Sequence, residues 1–283
     1  MTLLLTYHKV GVQSGAQAEF YTILAEQLEH HLELLRQTGF QVSSPDALLN
    51  SQDGAMQGNG ARSPLSAGAL EPSPPMDAAA DRNVGAPLQR RCLLTFDDGT
   101  RDHFEVVMPV LQRSNSRALF FICASKLNRP GYLGAEDLRI MSRAGHTIGS
   151  HGHEHRRLDE LAEEDVRVQI EISRDMLNGI VGAAPLCFAP PGGFITPMIR
   201  RVALESGMRI IRTMRWGYNC RFDPASLECI PLNRYTSDSE FRRILQGRNK
   251  PFLYTGKQFI KKLVPSRVYE SVRTGIFDLI GRN

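Results

Sequence analysis

Apolar positions along the chain alternate between strand-like runs and helical spacing. Leu3 to His8 is a short apolar run that predicts a strand. Residues 18–38 then bring Phe20, Ile23, Leu24, Leu28, Leu32 and Leu35 round at helical spacing, with Gly39 placed to cap that helix. Further strands are predicted at 92–96, 117–122, 146–150, 186–188 and 208–213, and helices at 103–113, 135–144, 159–179 and 196–206. Repeated strand–helix alternation implies a parallel sheet or barrel with helices outside. Functional sites in such folds gather at the carboxyl ends of the strands.

One stretch breaks the pattern. Of the 41 residues from Ser51 to Arg91, 22 are Gly, Pro, Ala or Ser and none is aromatic. Such a segment buries too little apolar surface to offset its ordering entropy, so 51–91 is expected to be a disordered insertion in a barrel spanning 1–245. Residues 242–283 carry ten Lys/Arg against Glu270 and Asp278, a net +8 that leaves −4 in the rest of the chain. The body therefore lacks the charge of a nucleic-acid binder. The extension 246–283 is read as a basic amphipathic helical tail, split at Pro265, whose 257–283 part either packs on the barrel or contacts an anionic membrane surface.

Other features narrow the class. Apolar residues make up 42% and charged residues 23%, ordinary for a globular chain. The N-terminal MTLLLTYHKV has neither a basic lead nor a small-residue cleavage site, which sets the expectation of a cytoplasmic protein, peripheral at the inner membrane face if the tail binds lipid. Cys92, Cys123, Cys187, Cys220 and Cys229 contain no C-x-x-C pair and read as buried reduced thiols.

Three clusters of polar and turn residues fall at predicted strand ends. Asp97-Asp98-Gly99 places two carboxylates and a glycine suited to positive φ directly after a strand; alone it is also a plain acidic turn. Ser150-His151-Gly152-His153-Glu154-His155 concentrates three of the eight histidines in five residues. On a helical turn His151 and His155 share a face and His153 points away; on an extended segment all three share one. With Asp98 either arrangement gives a three-ligand Asp-His-His centre with open positions, the pattern of a catalytic metal, zinc first, with cobalt, nickel or manganese as alternatives. Phe188-Ala189-Pro190-Pro191-Gly192-Gly193 offers a fixed backbone with N–H groups open to a ligand. His30 and His31 lie on the first helix and read as solvated.

Thr95–Gly99, Gly145–His155 and Phe188–Gly193 together resemble, in order, the motifs of polysaccharide deacetylases, the carbohydrate esterase family 4 enzymes with a NodB homology domain. The resemblance covers about 3–50 and 92–241. It implies a distorted (β/α)7 barrel and metal-dependent N-deacetylation of an amino sugar in a polysaccharide, oligosaccharide or lipid-linked glycan. Residue by residue it implies Asp97 as catalytic base, Asp98, His151 and His155 as metal ligands, and the Gly192 N–H as oxyanion donor. Pro191 and Gly193 are implied substrate contacts, as is Trp216, whose other reading is core packing. His153 falls on a variable position.

Two departures stand out. Many members carry an arginine where Ala189 stands, and it orients the catalytic aspartate; here that task falls to an unidentified group. Many also carry a late Leu-x-x-His-type motif whose histidine is the acid, yet Cys229–Arg234 has none, and no histidine follows His155. Thr6-Tyr7-His8-Lys9-Val10 resembles the opening of a permuted branch of the family in which an N-terminal histidine is the acid, which nominates His8. A scaffold without activity, or an amidohydrolase of a non-sugar acylamine, are the alternatives.

Overall fold

In the computed structural model the described residues are 2–11, 20–45 and 90–248. Seven parallel strands close a barrel in the order β1 (Thr2–Tyr7), β5 (Arg91–Phe96), β6 (Leu119–Ile122), β7 (Thr147–Ser150), β8 (Cys187–Phe188), β9 (Ile210–Trp216) and β10 (Leu227–Pro231), which returns to β1. Three short strands lie outside this ring. β2 (Lys9–Gly11) pairs with β3 (Thr22–Leu24), and β4 (Gln41–Val42) extends the foot of β5. The helices are α1 (Ala25–Gln37), α2 (Met108–Arg113), α3 (Ala135–Arg143), α4 (Glu163–Val181), α5 (Pro197–Glu205) and α6 (Asp238–Leu245). The seven-stranded α/β barrel expected from the motifs is what the chain forms.

Strand β1 shows why these sequences make a barrel. All six residues of TLLLTY are buried, as a strand covered on both faces requires. Successive side chains face opposite ways. Leu4 joins Leu93, Leu119, Phe121 and Ile210 in one cluster, while Leu3, Leu5 and Tyr7 pack in another with Leu28, Leu32 and Leu35 of α1. β1 and β5 run in register from Thr2 against Arg91 to Tyr7 against Phe96, so their ends deliver His8 and Asp97 side by side.

The structure revises several local expectations. The apolar spacing of 18–38 holds only from Ala25. Thr22–Leu24 is extended because Ile23 pairs with Val10, and the Leu24 N–H donates to Gln27 Oε1 at 2.8 Å to start the helix. At the other end Gly39 (φ 73°) accomplishes the expected cap: its N–H donates to Arg36 O and that of Phe40 to Leu35 O. The helix expected at 103–113 opens with one π-helical turn, His103–Val107. His31 is buried, not solvated. It hydrogen-bonds the Tyr7 hydroxyl of β1 at 3.3 Å and stacks at 3.9 Å on Phe241 of α6, a helix the sequence pattern did not predict.

Four of the five cysteines are buried as free thiols, and Cys220 is exposed. Most of the insertion and all of the tail 257–283 lie outside the described residues. Among the described residues no helix is long and apolar enough to cross a membrane.

Candidate active site

The site lies beyond the carboxyl ends of β1, β5, β7, β8 and β9. The turn after β5 sets its centre. Asp98 has φ 77° and Gly99 φ 72°, two consecutive left-handed residues. Aspartate tolerates this region better than most residues, but it remains sparsely populated, and the barrel rim imposes it. At Gly99 a Cβ would also meet Ile122 at 3.2 Å. The turn divides the two carboxylates. Asp97, almost fully buried, lies near His8, and Asp98 faces the histidine segment.

Residues 151–155 adopt neither geometry open from the sequence. They form a loop in which Gly152 (φ 74°) and His155 (φ 59°) are left-handed. Backbone bonds hold it: His151 N–H to Ile122 O, Ala124 N–H to Gly152 O, Ser125 N–H to His153 O, and Glu154 N–H to Gln169 Oε1. This path turns His155 back toward Asp98, with Nε2 3.0 Å from Oδ1, while His151 Nε2 lies 3.6 Å from the same oxygen.

One ligand atom from each of Asp98, His151 and His155 falls within 4.8 Å of the others. That is a triangle able to hold a divalent cation. His151 Nδ1–H donates to Ala189 O at 2.7 Å, which leaves Nε2 with its lone pair directed at the centre. This is how metal-binding imidazoles are commonly oriented. Burial lowers the His151 pKa to about 4, so the ring is neutral near pH 7, the form that coordinates. Asp98 is held well below the usual carboxylate range. Its burial acts upward, and the His155 hydrogen bond, the neighbouring His151 and His8, and the His155 charge outweigh it.

Asp97 has a partner the sequence did not reveal. The Arg212 guanidinium, from β9, donates to both Asp97 oxygens at 2.5 Å, and both side chains are nearly inaccessible. Burial pushes Asp97 upward, and Arg212, aided by His151 and His8, reverses this and keeps it ionised below the usual range. β9 pairs with β8 through Ile211 and Phe188, so Arg212 stands one residue past that pair, level with Ala189. The cation missing at Ala189 is therefore supplied from the adjacent strand. The only sequence signal was an arginine inside an apolar run, Arg209-Ile210-Ile211-Arg212.

His8 lies on the other side of Asp97, Nε2 3.8 Å from Oδ2, with a fifth of its side chain exposed. Its burial lowers its pKa, while the Asp97 and Asp98 carboxylates act in the opposite sense. The His8 segment is clamped from the start of the π-helical turn. His103 Nε2–H donates to His8 O at 2.6 Å, and Asp102 Oδ2 accepts the Val10 N–H at 2.7 Å. Tyr21 stacks on the His8 ring at 4.6 Å.

Gly192 (φ 68°) is exposed beside this cluster, on a turn that begins with buried Pro191. At Gly193 (φ 73°) a Cβ would fall 2.1 Å from Met214 Cγ, so the turn packs closely on β9. Trp216 is half-buried at the end of β9. Its ring packs edge-on to Tyr218 and against the large core cluster.

A closed parallel barrel carries this rim of carboxylates, imidazoles and a buried arginine at the ends of its strands. Residues 85–211 match the family model described as polysaccharide deacetylase. The chain is 28% identical over 116 residues to chitin deacetylase 1 of Cryptococcus neoformans, covering 41% of this chain and 24% of that protein. It is 31% identical over 139 residues to the peptidoglycan-N-acetylglucosamine deacetylase PgdA of Listeria monocytogenes, covering 47% and 28%. The chain thus spans well under half the length of these curated relatives. Its fold is that of the Streptococcus pyogenes deacetylase PplD, with TM-score 0.68 and 17% identity over 88% of this chain and 98% of that one.

Proposed function

We propose that the chain is a metal-dependent N-deacetylase acting on an N-acetylated amino sugar of a glycan. The observation that carries this reading is the convergence of Asp98, His151 and His155 beside an ionised Asp97 and His8. Asp98, His151 and His155 would hold a divalent ion, zinc by the chemistry of two imidazoles and one carboxylate. When bound, such an ion supplies Lewis-acid polarisation of the acetyl carbonyl and an acidified water.

The chain's own groups do the rest. Asp97 accepts the proton of the attacking water, and Arg212 keeps its carboxylate ionised and aimed. In this reading the Gly192 N–H is the oxyanion donor. His8 Nε2 delivers a proton to the departing amine. His103 and Asp102 fix the backbone that carries His8.

Arg212 weighs against the inactive-scaffold reading, because it supplies the cation whose absence at Ala189 supported that reading. A non-sugar acylamine would use the same groups, so the substrate panel separates the two. The test is acetate release from N-acetylglucosamine oligomers by the full chain, alongside N-acetyl amino acids and a chromogenic acetyl ester. Release from the oligomers supports the reading; release from N-acetyl amino acids alone, or from none, overturns it. A place at the cytoplasmic membrane face through residues 257–283 is part of the proposal, tested by co-sedimentation with anionic vesicles before and after truncation at Lys250.

A further inference from the structure

The buried face of α4 is apolar at Val166, Ile170 and Leu177 but polar at Gln169 and Ser173, which are 5% and 0% exposed. A buried amide or hydroxyl costs stability unless its hydrogen bonds are satisfied, and an apolar side chain would fill the same contact without that cost. Gln169 and Ser173 are four residues apart, so they share one face of the helix. Both reach toward the loop that carries the two histidines of the proposed metal centre.

Gln169 grips Glu154 twice. Its Oε1 accepts the Glu154 N–H at 2.9 Å, and its Nε2 donates to Glu154 Oε2 at 2.9 Å. These bonds fix the residue directly before His155, whose φ of 59° is sparsely populated for a residue with a side chain. Ser173 acts at the other end of the loop. Its hydroxyl shares a hydrogen bond with Ser150 Oγ at 2.8 Å, and Ser150 Oγ accepts the Gly152 N–H at 3.2 Å. Ser150 and Gly152 flank His151, so the bonds from α4 bracket both histidines.

We infer that Gln169 and Ser173 are positioning residues for the metal ligands: they hold residues 151–155 in the ligating path before an ion arrives, and so set the affinity of the centre. The inference rests on the proposed Asp98, His151 and His155 centre. Asp98 directly follows a barrel strand, whereas His151 and His155 lie on a segment with no regular secondary structure. A loop ordered only on binding would subtract its ordering entropy from the affinity for the ion; a loop already held does not. The hydrogen bonds of Gln169 and Ser173 end on Glu154 and Ser150, so their effect reaches the imidazoles through the loop backbone.

The experiment measures zinc affinity of the full chain by competition with a chromogenic chelator and records the visible spectrum of the cobalt-loaded protein. Urea unfolding of the metal-free protein is followed in parallel. Gln169→Ala should weaken zinc binding roughly 10–100-fold, the usual effect of removing a group that orients metal ligands, and shift the cobalt bands. Gln169→Glu keeps the acceptor but sets a carboxylate against Glu154, and should show a similar loss. Combining Gln169→Glu with Glu154→Gln restores both bonds, the second with its direction reversed, and should recover most of the affinity. Ser173→Ala should also weaken zinc binding, and Ser173→Thr should retain it. Wild-type zinc affinity in Gln169→Glu overturns the positioning role. So does an exchanged pair that unfolds like the wild type yet binds zinc as weakly as Gln169→Glu. If Gln169→Ala does not fold, Gln169→Glu and the exchanged pair decide by the same comparison. A wild type that binds no zinc overturns the metal centre itself, whereas tight binding that no variant weakens overturns the positioning role alone.

Discussion

Arg212 and Asp97, 115 residues apart in sequence, form a buried ion pair in which one guanidinium nitrogen approaches both carboxylate oxygens. Removing one member of such a pair leaves an uncompensated buried charge, at a cost of about 3–5 kcal/mol. Arg212→Gln should therefore lose stability on that scale, read from urea unfolding. Without the guanidinium, burial raises the Asp97 carboxyl, so the base ionises only at higher pH. The acid limb of the pH–rate profile should move upward, with turnover at neutral pH down roughly 10²–10⁴-fold, the worth of a positioned base. A variant with the wild-type acid limb would separate Arg212 from Asp97.

His8 and its clamp give a prediction in the leaving group. His8→Ala should slow amide hydrolysis by roughly 10²–10⁴-fold and affect an activated ester far less, since that leaving group hardly needs a proton. His103→Phe, which removes the donor to His8 O, should show the same amide-selective loss more weakly. His103→Gln, which retains an N–H donor, should recover part of it. Equal losses on amide and ester would mean that His103 serves only the core.

The difference between what the sequence shows and what the fold adds is clearest at these residues. The barrel was legible because buried strands such as TLLLTY and RCLLTF alternate with amphipathic helices, and the motifs fall at strand ends. Asp97, Asp98, His151 and His155 were legible as types and spacings. Arg212 was not, because its role depends on strand register: β9 beside β8 puts residue 212 level with 189, and no local pattern encodes that neighbour. The loop path of 151–155 was equally hidden, since it rests on bonds to β6, the segment after it, and Gln169. His31 was misread because its partner Phe241 is 210 positions away on a helix that the apolar pattern did not reveal.

That histidine sets an acid limit on stability. Burial, aided by the neighbouring His30, lowers the His31 pKa from 6.5 to about 4. The unfolded chain then binds the proton more readily than the folded one between those values. Stability from a neutral His31 is complete above about pH 6.5 and is lost as pH falls toward 4, by about 3 kcal/mol. His31→Gln should show a smaller drop in urea midpoint between pH 7 and 4.5 than the wild type. An unchanged drop would assign the acid sensitivity to other groups, such as buried His146, also lowered to about 4.

Gly193 should tolerate no side chain. A Cβ there would lie 2.1 Å from Met214 Cγ and 2.9 Å from the Met214 backbone nitrogen, at a φ of 73° that disfavours L side chains. Gly193→Ala should cost about 1–3 kcal/mol through strain and overpacking and displace the neighbouring Gly192 turn. Thermal melting and acetate release should fall together; a wild-type melting temperature would show that the turn is looser than this packing.

The central claim is that Asp98, His151 and His155 form one divalent-cation centre that acts with Asp97. Bound metal, measured by elemental analysis of the purified full chain and of single alanine variants, with acetate release followed on the same samples, tests it directly. The account predicts one ion per chain in the wild type and its joint loss with activity in Asp98→Ala, His151→Ala and His155→Ala. It predicts retention of metal without activity in Asp97→Ala, and retention of metal in His153→Ala. A wild type that releases acetate with no metal bound, or a His155→Ala variant that keeps both, would contradict it.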